Sequence, residues 1–234
     1  MIAIVTSTLQ PSENDISNKS FYTFIERLEQ TKHTLNNLIQ LNFDTIFLID
    51  NSTNLPLSEV QNLLIEFKQV KIFQVQQYQF KNKGINEILM LLYLLQFLPA
   101  NQNIFKISGR YYPTTSFEKP YFSDFAAKGY CYKKRTGTIS TRAYWVKDKN
   151  VFYSCLSNCL NEVFTYPERI TGFRSLYNKL ASVILKKHTE PLNISIEFAF
   201  ANVLKKSNYK LKLLDCIGIE GLVAGAGKVE KIIE

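Results

Sequence analysis

Short runs of β-branched and apolar residues alternate with longer stretches whose apolar positions recur every three or four residues, and this alternation organises the first half of the chain. Residues 2–6, IAIVT, read as a buried strand ending in Ser/Thr. A polar loop follows over 7–19. From about Ser20 to Leu41 the apolar residues Phe21, Phe24, Ile25, Leu28, Leu35, Leu38, Ile39 and Leu41 fall at helical spacing. The stretch DTIFLIDNS predicts a second strand carrying Asp50, Asn51 and Ser52 at its end. A helix over about Leu57 to Phe67, capped by Ser58, and a strand over Val70 to Val75 come next. A helix then opens near Lys83-Gly84 and leads to the run IFKISGR. Residues 88–98 are too continuously apolar for a surface helix, so this helix is expected to cover a sheet.

The second half reads differently. Residues 114–150 predict two or three mixed or antiparallel strands. Helices are expected over 150–164, Ser175 to Lys187 and Ile194 to Lys206, then a closing strand over Lys210 to Ile219. The tail GLVAGAGKVEKIIE reads as flexible, with a charged end. Alternating strands and helices over about 110 residues argue for an α/β fold, a mostly parallel sheet with helices on both faces and a mixed C-terminal half. One domain over 1–234 is expected, with 1–113 as a nucleotide-binding half and 114–234 as an acceptor-side half. Sheets of this class bind ligands at the carboxyl ends of their strands. Three polar clusters fall there: Thr6-Ser7-Thr8, Asp50-Asn51-Ser52 and Ser108-Gly109-Arg110.

Within IFKISGR, a period of two puts Lys106, Ser108 and Arg110 on one face. A lysine in an apolar central strand needs a partner, because an unpaired buried charge is costly. The strand therefore holds either a satisfied structural network or an anion site. Glu87, on the preceding helix, is a candidate to hold Lys106 or Arg110 in place, and the amides at Lys83-Gly84 are candidates to receive a phosphate. Asp50 suits a ribose hydroxyl, a base amino group or a metal, and equally a turn cap. Glu197, in the first turn of its helix, suits a general base or simply favours the helix N-terminus.

Composition narrows this picture modestly. The 234 residues are 46% hydrophobic and 13% aromatic, enough for a large core, so a disordered chain is excluded. A net charge of +8 suits phosphates, nucleic acid or an anionic membrane surface without choosing among them. The basic run Lys133-Lys134-Arg135 sits among tyrosines, as an RNA-binding strand or a charged edge strand would. Cys131, Cys155, Cys159 and Cys216 lack zinc spacing and read as reduced thiols of a cytoplasmic protein. Gly225-Ala226-Gly227-Lys228 fails as a phosphate loop, with Leu222 and Val229 at positions that need Gly and Ser/Thr. No run approaches the roughly 20 apolar residues of a membrane span.

Several of these pieces together resemble nucleotide-sugar glycosyltransferases of the GT-A type, of the small kind found with bacterial and some viral polysaccharide genes. They are IVTST, Glu26 to Thr31 (including Arg27) with Thr34, FLIDNS, Asn82-Lys83-Gly84 with Glu87, SIE at Ser195 to Glu197, GIEGLVAGAG and above all FKISGRYY. The resemblance implies that Thr6, Ser7, Asp50 and Asn51, with Arg27, hold the donor nucleotide. The position after the fourth strand, where that family carries an Asp-x-Asp metal site, is Ser108-Gly109-Arg110 here. A divalent cation (Mn or Mg) thus lacks its usual ligands, and the resemblance implies that Lys106, Arg110 and Lys83 neutralise the leaving phosphate. It also places Glu197 as the acceptor-side base of an inverting reaction, and 9–20 as a lid. The partners implied are a nucleotide-sugar donor and a glycan or lipid-linked acceptor, with peripheral contact at the inner face of an anionic membrane. Two further readings stand beside this one: a non-catalytic nucleotide- or glycan-binding module and, behind it, an RNA-binding domain.

Overall fold

The computed structural model describes residues 1–11, 22–75, 80, 82–118, 123–132, 136–166, 172–173, 176–177, 180, 194–225 and 228–234. The first half is the alternation the sequence predicts: β1 (Ile2–Ser7), α1 (Phe24–Gln40), β2 (Thr45–Asp50), α2 (Leu57–Glu66), β3 (Val70–Gln74), α3 (Lys83–Leu94) and β4 (Ile104–Ser108). Then come β5 (Tyr111–Pro113), β6 (Phe125–Tyr132), β7 (Thr136–Val146), α4 (Lys149–Thr165), α5 (Ile196–Lys206), β8 (Leu211–Leu214), β9 (Ile219–Gly225) and β10 (Lys228–Ile233). Thr23 opens α1 with a capping box, its side chain accepting from the Glu26 amide while Glu26 accepts from the Thr23 amide. Ser58 lies inside α2 rather than capping it; Pro56 precedes that helix without a side-chain bond.

Seven strands form one sheet in the order β3-β2-β1-β4-β7-β6-β8. β1 is parallel to both β2 and β4, and β2 to β3; β7 is antiparallel to β4 and β6, and β6 is parallel to β8. Six strands therefore run one way and β7 the other. The central strands are apolar on both sides because both faces are covered. Ile2, Ile4, Phe47, Ile49 and Ile104 pack with α3, α4 and α5. Ala3, Val5, Ile46, Leu48, Phe105 and Ile107 pack with α1 and α2. This is the α/β architecture expected from the sequence, mixed C-terminal half included.

The tail departs from expectation. The closing strand stops at Leu214, and the glycine-rich end is a hairpin, β9 pairing with β10 and, on its other side, with β5. Lys228 stands opposite Gly225, so these two residues face each other where β10 follows β9. The hairpin is anchored by Glu234, whose carboxylate is buried, accepts from Ser140 Oγ at 2.6 Å and pairs with Arg142. Gly221 shows why a small residue is needed there: a Cβ would stand 2.3 Å from the Arg110 carbonyl oxygen. The region read as a helix over Ser175 to Lys187, the basic run Lys133-Lys134-Arg135 and the loop read as a lid lie wholly or mostly outside the described residues.

Candidate active site

The polar ends of β1 and β2 are tied to one another. Asp50, 1% exposed, accepts from Ser7 Oγ at 2.5 Å and the Leu9 amide at 2.9 Å through Oδ2, and from the Ser52 amide at 2.8 Å through Oδ1. Thr8 Oγ1 donates to Asn51 Oδ1 at 2.5 Å, and the Gln10 amide to Ser52 Oγ at 2.8 Å. Asp50 thus organises the chain leaving β1, the turn-capping use that sequence allowed.

Arg27 reaches the same place from α1. Its Nη1 donates to the Thr8 carbonyl at 2.8 Å and its Nε to the Tyr22 carbonyl at 3.4 Å. Burial and, after it, the like charge of Arg110 bring the Arg27 guanidinium down to about 10, against the opposing pull of Asp50. It stays protonated at neutral pH. Arg110 is half-buried, and among the described residues its guanidinium has no hydrogen-bond or ion-pair partner. Two guanidiniums therefore share one neighbourhood with Asp50, whose carboxylate is already engaged.

The position of Arg110 corrects the strand-face expectation. β4 ends at Ser108, and Gly109 and Arg110 form the turn into β5. The Gly109 amide donates to the Thr6 carbonyl at 2.9 Å. Its carbonyl accepts from Thr31 and Thr34 Oγ1 at 3.3 and 3.2 Å, and Thr34 Oγ1 also lies 2.7 Å from the Tyr111 carbonyl. A Cβ on Gly109 would meet Thr31 Oγ1 at 2.9 Å, so the turn is pressed onto α1. Arg110 accordingly neighbours Arg27, on the α1 side of the sheet, rather than Lys106.

Lys106 faces the other way. It is 1% exposed, pairs with Glu87 of α3, donates to the Thr141 carbonyl at 2.7 Å and lies 5.4 Å from the centroid of the Tyr144 ring. The awkward lysine is thus a satisfied buried ion, and the expectation that its charge meets a leaving phosphate is replaced by a structural one. Thr141, which nothing local in the sequence marks, joins this network to Glu197, its Oγ1 donating to Glu197 Oε1 at 3.4 Å.

The head of α3 is also committed. Asn82 Oδ1 accepts from the Gly84 amide at 2.9 Å, the Asn82 carbonyl from the Ile85 amide at 3.1 Å, and Asn82 Nδ2 donates to the Ile194 carbonyl at 2.9 Å. The Gly84 amide is therefore capped within the protein instead of open to a phosphate, while Lys83 is exposed beside it. Gly84 lets α3 and α5 meet, since a Cβ there would lie 2.7 Å from Ile196 Cβ. Gly84→Ala is expected to cost about 1–3 kcal/mol in a urea titration, because a Cβ of α5 has no rotamer by which to retreat. It also shifts Glu197, one residue further on.

The fold thus gathers Ser7, Arg27, Asp50, Gly109 and Arg110 at the strand ends by α1, with Asn51 bonded to Thr8. Thr6 and Ser108, at the same strand ends, alternate onto the face that carries Lys106, where Gly84, Glu87, Lys106 and Glu197 lie on the side of α3 and α5. A divalent cation does not fit the first group. The turn after β4 offers no carboxylate, both Asp50 oxygens are engaged, and among the described residues no three His, Cys, Asp or Glu side chains come together to hold a metal. No described helix is long and apolar enough to cross a membrane.

No family model matches the chain, and no curated protein matches it. Solved structures do. A nucleoside-diphosphate-sugar pyrophosphorylase from Vibrio cholerae RC9 aligns over 94% of this chain and 94% of its own, at 12% identity and a TM-score of 0.52. The galactosyltransferase LgtC, in complex with donor and acceptor sugar analogs, aligns over 94% and 86%, at 7% identity and a TM-score of 0.48. The glycosyltransferase GlyE from Streptococcus pneumoniae TIGR4, in its apo form, aligns over 90% of this chain and 44% of its own, at 11% identity and a TM-score of 0.46. The first likeness establishes a shared α/β fold, and fold alone does not carry activity.

Proposed function

We propose that this chain is a nucleotide-sugar-dependent glycosyltransferase of the GT-A type. It moves a sugar to a glycan or lipid-linked acceptor in surface polysaccharide synthesis, with cations of the protein in place of a bound metal. The observation that carries the reading is the pair Arg27 and Arg110 at the strand ends, close enough that the charge of Arg110 makes Arg27 easier to deprotonate, beside an Asp50 carboxylate whose oxygens accept hydrogen bonds within the protein. Such a pair favours a dianionic ligand, and the diphosphate of a nucleoside-diphosphate sugar, esterified at both ends, has that charge. Thr6, Ser7, Asn51 and Ser108 line the nucleoside side, with Asp50 holding Ser7 in place.

In the transfer, the bond between the sugar's anomeric carbon and the diphosphate oxygen breaks, and the oxygen keeps the electron pair. The acceptor hydroxyl oxygen bonds the anomeric carbon. The charge that develops on the diphosphate meets Arg110, which supplies the stabilisation the missing acid pair and its cation would have given. In an inverting displacement Glu197 takes the acceptor proton. Its hydrogen bond from Thr141 fixes the carboxylate without blocking its second oxygen.

A second reading is nucleotidyl transfer that makes the nucleotide sugar, favoured by the matched lengths of this chain and the V. cholerae pyrophosphorylase. One panel separates the two. Thermal unfolding is followed with UDP-, GDP-, CMP- and dTDP-sugars, with and without manganese, and turnover is assayed with each sugar nucleotide and with nucleoside triphosphate plus sugar phosphate. A ligand at a hundredfold its Kd adds about 2.7 kcal/mol, or roughly 5 to 10 °C for a chain of this size. The expected outcome is such a shift with one nucleotide class, unchanged by manganese. A shift that needs manganese, or turnover only with the triphosphate, overturns the first reading.

A further inference from the structure

A cleft lies well away from the strand ends. α1 runs from Arg27 down to its last turn, and the Asp44 amide then bonds the Met1 carbonyl at the start of β1. Between the last turns of α1 and β5 lies a cavity of about 510 Å³, a size common among small-molecule sites. Asn37, on its wall, stands roughly 15 Å along the helix from Arg27 at the usual rise per residue. Glu197 belongs to the other face of the sheet, since α1 packs on one side and α5 on the other.

The lining mixes apolar faces with neutral polar groups. Tyr112 and Pro113 supply the faces. The Tyr112 ring is fixed by His33, which meets it edge-on with centroids 4.2 Å apart. Asn37 Nδ2 donates to the His33 carbonyl at 2.8 Å, which leaves its Oδ1 to accept. Among the described residues, the Gln40 amide and the Thr115 hydroxyl are engaged by no protein group. Glu220 accepts from the Tyr112 hydroxyl and pairs with Lys231 at 2.9 Å. These bonds hold its carboxyl below the usual range, so it stays ionised with its charge already answered. No cation lines the cleft among the described residues.

We propose that this cleft binds a neutral oligosaccharide, one ring of which lies on Tyr112 and Pro113. A primary amide offers a donor and an acceptor side by side, and neighbouring sugar hydroxyls need both. The apolar face of a pyranose ring packs on an aromatic ring, whose hydroxyl end stays polar. A phosphate or nucleotide finds no cation here and a carboxylate that opposes it. A wholly apolar ligand leaves the amides and hydroxyls desolvated without partners. These reasons rest on the lining alone. The site is separate from the transferase reading, in which the reacting acceptor hydroxyl belongs at Glu197.

The test is an NMR titration of the isotope-labelled full chain with maltose, cellobiose, lactose and N,N′-diacetylchitobiose, and with glucuronate as an anionic control. The amide signals of Asn37, Gln40, Tyr112, Thr115 and Glu220 are expected to move saturably with at least one of the neutral disaccharides and to ignore glucuronate. Gln40→Ala with Thr115→Ala should weaken that binding about thirtyfold, two hydrogen bonds being lost. Asn37→Leu should weaken it about fivefold. Gln40 and Thr115 are exposed, so the melting temperature of the double variant should match the parent and rule out unfolding as the cause. No response to any of the four disaccharides, an equal response to glucuronate, or binding that survives the double substitution overturns the inference. So does movement confined to Thr8, Arg27 and Arg110, which assigns sugar binding to the strand ends. The readout is binding without turnover, so its outcome is independent of the donor panel.

Discussion

Arg110→Ala is expected to lower the rate of sugar transfer roughly a hundredfold while leaving the unfolding free energy within about 0.5 kcal/mol of the parent. The two halves of this expectation come from one fact: the guanidinium has no bond or ion pair among the described residues, so its removal breaks nothing that holds the fold. What it removes, in the proposed transfer, is the cation that meets the negative charge growing on the departing diphosphate. The substitution also relieves Arg27 of a like charge. Nucleotide affinity therefore falls less than turnover, because Arg27 remains. Arg110→Lys should recover part of the rate, since it restores charge but not the fork of donors that matches a phosphate. Initial rates with the donor identified by the thermal-shift panel, set beside a urea titration, measure both quantities. A fall in stability with unchanged turnover would make Arg110 a structural residue.

Glu87→Ala is expected to do the reverse. It leaves the Lys106 ammonium, 1% exposed, with only the Thr141 carbonyl and the face of Tyr144. Removing one partner of a buried pair costs about 3–5 kcal/mol, because the remaining ion stays desolvated. The lower end applies, since the Glu87 side chain is 24% exposed and its own desolvation is partial. Replacing both residues at once, Glu87→Leu with Lys106→Met, should recover most of the loss, since no ion is left buried. Chemical denaturation of the parent, both single variants and the double variant gives the coupling directly. If Glu87→Ala keeps full stability and instead loses substrate affinity, Lys106 belongs to the binding site after all.

These two residues show where sequence reasoning reaches its limit. The apolar spacing of β1, β2, β3 and β4 and of their helices is a local property, so the α/β alternation is legible from the pattern alone. So is the location of the polar strand ends. The lysine in β4 announces a buried charge, but not which group answers it. That depends on α3 crossing the sheet so that Glu87 lies beside Lys106, and on β7 bringing Thr141 from 35 residues away. Arg110 was placed by a period of two that ends one turn too early. Two threonines of α1 bend the chain at Gly109, more than 70 residues from them in sequence. The C-terminal hairpin was illegible for a related reason. Its first strand is rich in glycine and alanine, which blur alternation, and its partner β5 lies about a hundred residues upstream.

By itself, then, the sequence determined the class of fold, the buried strands, and the strand ends where polar groups collect. Each follows from neighbours within a turn or a strand, where periodicity acts. The tertiary structure alone decided that Lys106 is neutralised inside the protein, that Arg110 joins Arg27 rather than Lys106, and that Asp50 serves the chain leaving β1. Charge pairing depends on distance in space, and only the packed sheet brings together residues that the sequence sets tens of positions apart.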